Sequence, residues 1–184
     1  VTGRLLPPDA AEPEQVEWAG RFIEARRRGR WEYAGRARNI RAAVILAIDD
    51  GCVVLVEQYR VPLGRPCLEM PAGLIGDGDD AHEDVLRAAA RELEEETGYR
   101  PARMEEIGEF YSSPGMVTES FTLVRAHGLT QISEGGGVDD EQIIVHLLPL
   151  DDISRRINAL AARGLALDAK LLLLLGAGLL KDVT

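Results

Sequence analysis

The chain has 184 residues, 46% apolar and 28% charged, with a formal net charge of −10. That size suits one globular domain with a small appended element, burying roughly 70% of its unfolded surface without disulfide staples. The acidic balance argues against a nucleic-acid-binding surface, and the two cysteines, Cys52 and Cys67, have neither redox-motif nor zinc spacing. Buried thiols in a reducing, cytoplasmic setting are the expectation. The start of the chain shows no signal-peptide core. The apolar run 171–180 is too short to span a bilayer, so no membrane partner is expected.

Taken in order, residues 9–28 allow either a short helix or strands. The aromatics Phe22, Trp31 and Tyr33 favour a hairpin turning at Arg28-Gly29. Residues 42–48 and 52–59 read as strands joined at Asp50-Gly51. Residues 61–67 read as a loop and 68–70 as a short extended piece. Residues 82–97 form an acidic helix, capped by Gly98. Strands follow at 107–111 and 121–126, around a loop at 112–119. Gly135-Gly136-Gly137 leads into a strand at 143–148. Helices are expected at 151–162 and 168–180. Strands, helix, strands and helices in this order indicate α/β or α+β with a mixed sheet.

The acidic helix carries the chemistry. At about 100° per residue, Glu92, Glu95 and Glu96 share one face. Like charges at these spacings destabilise a helix. Hard Mg²⁺ or Mn²⁺ is the natural counterion for such a cluster.

The surrounding punctuation resembles the box of the Nudix hydrolases, G-x5-E-x7-R-E-U-x-E-E-x-G-U, where U is bulky and apolar. Glu83 is followed by seven residues, then Arg91-Glu92-Leu93-Glu94-Glu95-Glu96-Thr97-Gly98-Tyr99. Two departures stand out. Tyr99 is aromatic at the last U, and nine residues rather than five separate Gly73 from Glu83. The extra residues fall in the turn-rich string Gly76-Asp77-Gly78-Asp79-Asp80.

The resemblance implies a Nudix-like α/β/α sandwich with a mixed sheet over residues 39–184. It implies a β-rich N-terminal element over 1–38 that serves dimerisation and substrate binding. It implies Mg²⁺- or Mn²⁺-dependent hydrolysis of a nucleoside diphosphate linked to another moiety. Carried over by position, Glu92, Glu96 and Glu95 are metal ligands, with the Ala72 carbonyl beside Gly73. Arg91 holds the acidic cluster, or forms an ordinary surface pair with Glu95. The expected catalytic set is Glu141, Glu95 and Arg91. Glu141 is the general base, in an acidic loop resembling the catalytic loop of ADP-ribose pyrophosphatases; Glu119 and Asp140 are alternatives. Gly135–137 would supply that loop's flexibility.

Substrate expectations rest on several residues. Pro114, sixteen positions past Gly98, resembles the marker of the ADP-ribose-hydrolysing subgroup. Arg60 suits a phosphate clamp, and Glu69 would bind ribose or tie down Arg60. Gly73 and Glu119 complete the expected substrate-binding set. Trp31 or Phe22 would stack on a nucleobase, in a subgroup whose members are homodimers. The implied substrate is ADP-ribose or a related nucleoside diphosphate sugar, with AMP and ribose 5-phosphate as products from ADP-ribose. GDP-mannose is the alternative substrate, and a non-catalytic ADP-ribose sensor is the competing class. His82, His127 and His146 lack metal-ligand spacing and are assigned no chemistry.

Overall fold

A computed structural model describes residues 6–37, 40–75, 84–138 and 141–175. Glu83, His82, Asp140 and the string 76–80 therefore lie outside the described residues.

At the N-terminus the strand reading holds and the helix reading does not. Strands β1 (Gln15–Ala19), β2 (Ile23–Arg28) and β3 (Trp31–Arg36) form an antiparallel sheet of their own. Charged side chains stitch β1 to β2: Arg27 pairs with Glu17 at 2.7 Å. A 3₁₀ turn at Pro8–Ala11 brings Asp9 beneath the β2–β3 turn. Asp9 accepts the Arg30 backbone N–H at 3.1 Å and its guanidinium at 3.1 and 3.0 Å. The Arg30 guanidinium holds the Asp9 carboxyl below the usual range.

The main body is two joined sheets. In one, β4 (Arg41–Asp49) pairs with β7 (Ala72–Ile75) on one side and, in parallel, with β10 (Ser120–His127) on the other; β9 (Arg103–Tyr111) flanks β10. In the other, β5 (Cys52–Arg60) lies between β6 (Arg65–Glu69) and β12 (Ile144–Pro149), and β13 (Ala166–Leu167) extends β6 in parallel. The β4–β5 turn joins them at Ile48–Val53 and Asp49–Cys52. Short strands β8 (Tyr99–Arg100) and β11 (Thr130–Gln131) pair beside the end of helix α1 (Val85–Thr97).

Strand alternation divides the core into two layers. Ala43, Ile45 and Ala47 of β4 meet Ala88, Ala89 and Leu93 of α1. Val44 and Leu46, on the other face, meet Ile153, Ile157 and Leu160 of helix α2 (Ile153–Ala162). The result is an α/β/α sandwich around a mixed sheet, as expected.

Local differences have physical reasons. Residues 61–67 are not all loop: a 3₁₀ turn at Val61–Leu63 feeds β6 directly. The expected last helix is a 3₁₀ segment over Ala169–Leu175. Its buried residues Leu171 and Leu174 are three apart, the spacing of one 3₁₀ turn. Residues 176–180 of that expected helix lie outside the described residues. Among the described residues no helix is long and apolar enough to cross a membrane.

The N-terminal sheet is bound to the body by main-chain contacts. Ala34 of β3 donates its N–H to the Met116 carbonyl and accepts from the Thr118 N–H, both at 2.9 Å. Ala34 and Val117 thus form a parallel bridge.

Candidate active site

Helix α1 starts where Asp84 caps it, accepting the N–H groups of Leu86 and Arg87 at 3.1 and 3.0 Å. It ends where Gly98 donates its N–H to the Glu94 carbonyl. Ala88, Ala89 and Leu93 bury one face against the sheet, which turns Glu92 and Glu96 along the border with β7.

Glu96 is buried, and one of its carboxylate oxygens accepts the Ala72 N–H at 3.1 Å. Burial pushes its pKa up to about 8. The Ala72 N–H opposes that shift, the charges of Glu92 and Glu141 add to it, and Arg60 offsets part of it. Gly73 lies directly against Glu92. Arg91 donates to Glu92 and to Glu95, each at 2.9 Å. Arg91 thus makes the i,i+4 pair with Glu95 and also spans to Glu92. Glu94 faces away and pairs with Arg100 at 2.7 and 2.8 Å.

The chemistry of this donor set fits a hard divalent cation. Glu96 is a buried carboxylate with neighbouring negative charges, and oxygen donors are what Mg²⁺ and Mn²⁺ prefer. Among the described residues no three His, Cys, Asp or Glu side chains already converge on one point. Arg91 occupies oxygens of Glu92 and Glu95 instead.

Glu141 belongs to the same neighbourhood. Its carboxylate accepts the Val138 N–H at 3.0 Å, and its charge is felt by Glu96. Arg60 is gripped by Glu69 in a two-point pair at 2.6 and 3.0 Å. Glu69 is buried while Arg60 remains half exposed. Thus Glu69 ties down Arg60, one of the two expected arrangements.

Two expected substrate residues meet elsewhere. Trp31 and Pro114 line one cavity of about 360 Å³ with Glu14, Arg28, Tyr33 and Thr118. No residue of α1 lines it. Glu119 belongs to neither group: it is ion-paired to Arg36 of β3, and both line a smaller pocket with Arg26 and Arg41. Arg36 and Glu14 were not foreseen. Their signal was a stretch of mixed charge through 14–36, which reads equally well as a solvated surface. His127 and His146 pair with Glu105 and Glu57 at 2.8 and 2.9 Å.

The NUDIX domain family model matches residues 37–169. The chain belongs to the Nudix family. It is 35% identical over 118 residues to an ADP-ribose pyrophosphatase of Bacillus subtilis, covering 64% of this chain and 62% of that protein. It is 39% identical over 131 residues to a GDP-mannose pyrophosphatase of Cronobacter sakazakii, covering 67% and 64%. The Nudix chain thus spans less than two thirds of the length of each of these curated relatives. A crystal structure of an ADP compounds hydrolase superposes with a TM-score of 0.67 at 24% identity, covering 93% of both chains. That likeness concerns the Nudix fold.

Proposed function

We propose that this Nudix protein hydrolyses the diphosphate of ADP-ribose or a related nucleoside diphosphate sugar. The observation that carries the reading is the buried Glu96 carboxylate, beside Glu92 and within the field of Glu141 and Arg60. Glu92, Glu96 and Glu95 would hold Mg²⁺ or Mn²⁺ together with the Ala72 carbonyl. A divalent cation held there would neutralise charge on the diphosphate oxygens and make the attacking water more acidic.

The chain's own groups do the rest. Glu141 accepts a proton from the attacking water. The water oxygen bonds to phosphorus as the bridging phosphorus–oxygen bond breaks, giving AMP and ribose 5-phosphate from ADP-ribose. Arg60, oriented by Glu69, takes phosphate oxygens with its guanidinium fork. Arg91 restrains Glu92 and Glu95. Trp31 and Pro114 form a wall for the nucleobase, in the cavity between β3 and residues 114–118. The N-terminal element over 1–38 also serves a homodimer, which the exposed Trp18, Phe22 and Ile23 favour. A cytoplasmic enzyme fits the free Cys52 and Cys67.

GDP-mannose is the second reading, favoured by the 39% identity to the Cronobacter enzyme. A phosphatase-coupled phosphate assay over ADP-ribose, GDP-mannose and other nucleoside diphosphate sugars, with Mg²⁺ or Mn²⁺, tests both. Monophosphate release from ADP-ribose above that from GDP-mannose supports the first reading, and the reverse order the second. Binding of ADP-ribose with no release from any substrate would point to a sensor and sink both.

A further inference from the structure

Residues 132–137 stand out because they press against the helix end almost entirely through main chain. The Ile132 and Ser133 N–H groups donate to the Gly98 carbonyl at 2.8 and 3.3 Å. The Gly136 N–H donates to the Glu96 carbonyl at 2.9 Å, and the Gly137 N–H to that of Glu95 at 3.1 Å. These are carbonyls that an α-helix leaves without partners in its last turn. The far side of the segment is tied as well, by the Ile143 N–H on the Gly136 carbonyl at 3.0 Å.

The approach is close enough to demand glycine. A Cβ at Gly135, where φ is +68°, would lie 2.4 Å from the Thr97 carbonyl carbon and 2.6 Å from the Glu96 carbonyl oxygen. A Cβ at Gly98 would lie 2.1 Å from the Ser133 carbonyl oxygen. At Gly137 it would lie 2.5 Å from the Glu141 carboxylate. The glycine run is thus a fitted contact, where the sequence suggested only flexibility.

We propose that residues 132–137 form a backbone clamp that ties the Glu141 segment to the last turn of α1, with Gly135 as its positioning residue. The same turn that carries Glu95 and Glu96 then sets where Glu141 stands. Gly135 touches no substrate; it acts through Glu141, and its kinetic consequence rests on the proposed role of that carboxylate.

The test compares Gly135→Ala with Gly164→Ala in the full chain. Gly164 is also left-handed, with φ +100°, but a Cβ there meets nothing within 4 Å. Gly135→Ala is expected to speed amide exchange at Gly136 and Gly137 by about tenfold or more, and Gly164→Ala to leave it unchanged. kcat on ADP-ribose is expected to fall about tenfold or more, with KM and Mn²⁺ affinity held within about twofold. Gly135→Ala with Glu141→Gln is expected to lose no more kcat than Glu141→Gln alone. Unchanged exchange at Gly136 and Gly137 would overturn the clamp. Faster exchange with kcat retained, or losses that multiply in the double variant, would overturn the positioning role. Full activity of Glu141→Gln would remove the base assignment and with it the positioning role, while faster exchange would still establish the clamp.

Discussion

Gly73 of β7 and Glu92 of α1 are in direct contact: a Cβ at Gly73 would fall 2.1 Å from both Cγ and Cδ of Glu92. Glu92 therefore stands where it does because position 73 has no side chain. Gly73→Ala should displace the Glu92 carboxylate and weaken Mn²⁺ binding by about tenfold or more. Metal titration followed by electron paramagnetic resonance would show it. Unaltered affinity would refute the control of the Glu92 ligand position by Gly73.

Glu96→Gln keeps the shape and the acceptor for the Ala72 N–H while removing the ionisable group. Activity should fall about 100-fold or more, since a ligand oxygen loses its charge. The metal-free variant should be no less stable than the wild type at pH 8.5, because it buries no carboxylate there. Calorimetry and the coupled assay measure the two effects. A fully active variant would overturn the ligand assignment.

The pH dependence has a definite sign. Burial raises the Glu96 pKa from 4.5 to about 8 without metal. The folded chain therefore holds this proton where the unfolded chain releases it. Wild-type stability, relative to Glu96→Gln, should decline as pH rises from about 4.5 to about 8 and then level off. Saturating Mg²⁺ should flatten the decline, because the cation favours the ionised form. Denaturation curves for both proteins at pH 5, 6.5 and 8, with Mg²⁺ and with chelator, decide it. A difference that grows in favour of wild type would refute the prediction.

Arg60 and Glu69 form a pair with one buried member. Arg60→Ala leaves the Glu69 carboxylate without its two-point partner, at a cost of about 1–3 kcal/mol. It should also raise KM for ADP-ribose. Arg60→Lys should recover part of the stability and less of the KM, since an ammonium cannot reproduce the fork. Thermal melts and steady-state kinetics separate the two. An unchanged KM would leave Arg60 with a structural role alone.

Trp31 is 52% exposed, so removing it should cost little stability. Trp31→Ala should raise KM about five- to tenfold with kcat held, and Trp31→Phe should restore most of it. A KM that stays put would send the nucleobase to another wall.

The acidic helix was legible in the sequence because its meaning is local. The spacing of Glu92, Glu95 and Glu96 fixes their common face, and Gly98 fixes the end. The strands on either side of Asp50-Gly51 were equally readable, as apolar runs joined at a tight-turn signal. Relations between distant segments were not. Nothing in residues 14–36 announces that Arg36 will meet Glu119, or that Trp31 will share a cavity with Pro114. The glycines at 135–137 were visible, yet their contact with Glu96 and Thr97 depends on how a strand returns past a helix. Residues 169–175 differed for another reason: a leucine-rich run satisfies both helical periods, and the burial of Leu171 with Leu174 goes with the tighter one.

The Ala34 bridge to Met116 and Thr118 has a consequence for truncation. These two hydrogen bonds hold the shoulder of the loop that carries Pro114. Deleting the first three strands would strip that loop of a support as well as removing Trp31. A shortened chain would then behave as though two regions had been altered, and its loss of substrate binding could not be credited to the missing strands alone. Substitutions that spare the Ala34 main chain are the cleaner way to separate the two contributions.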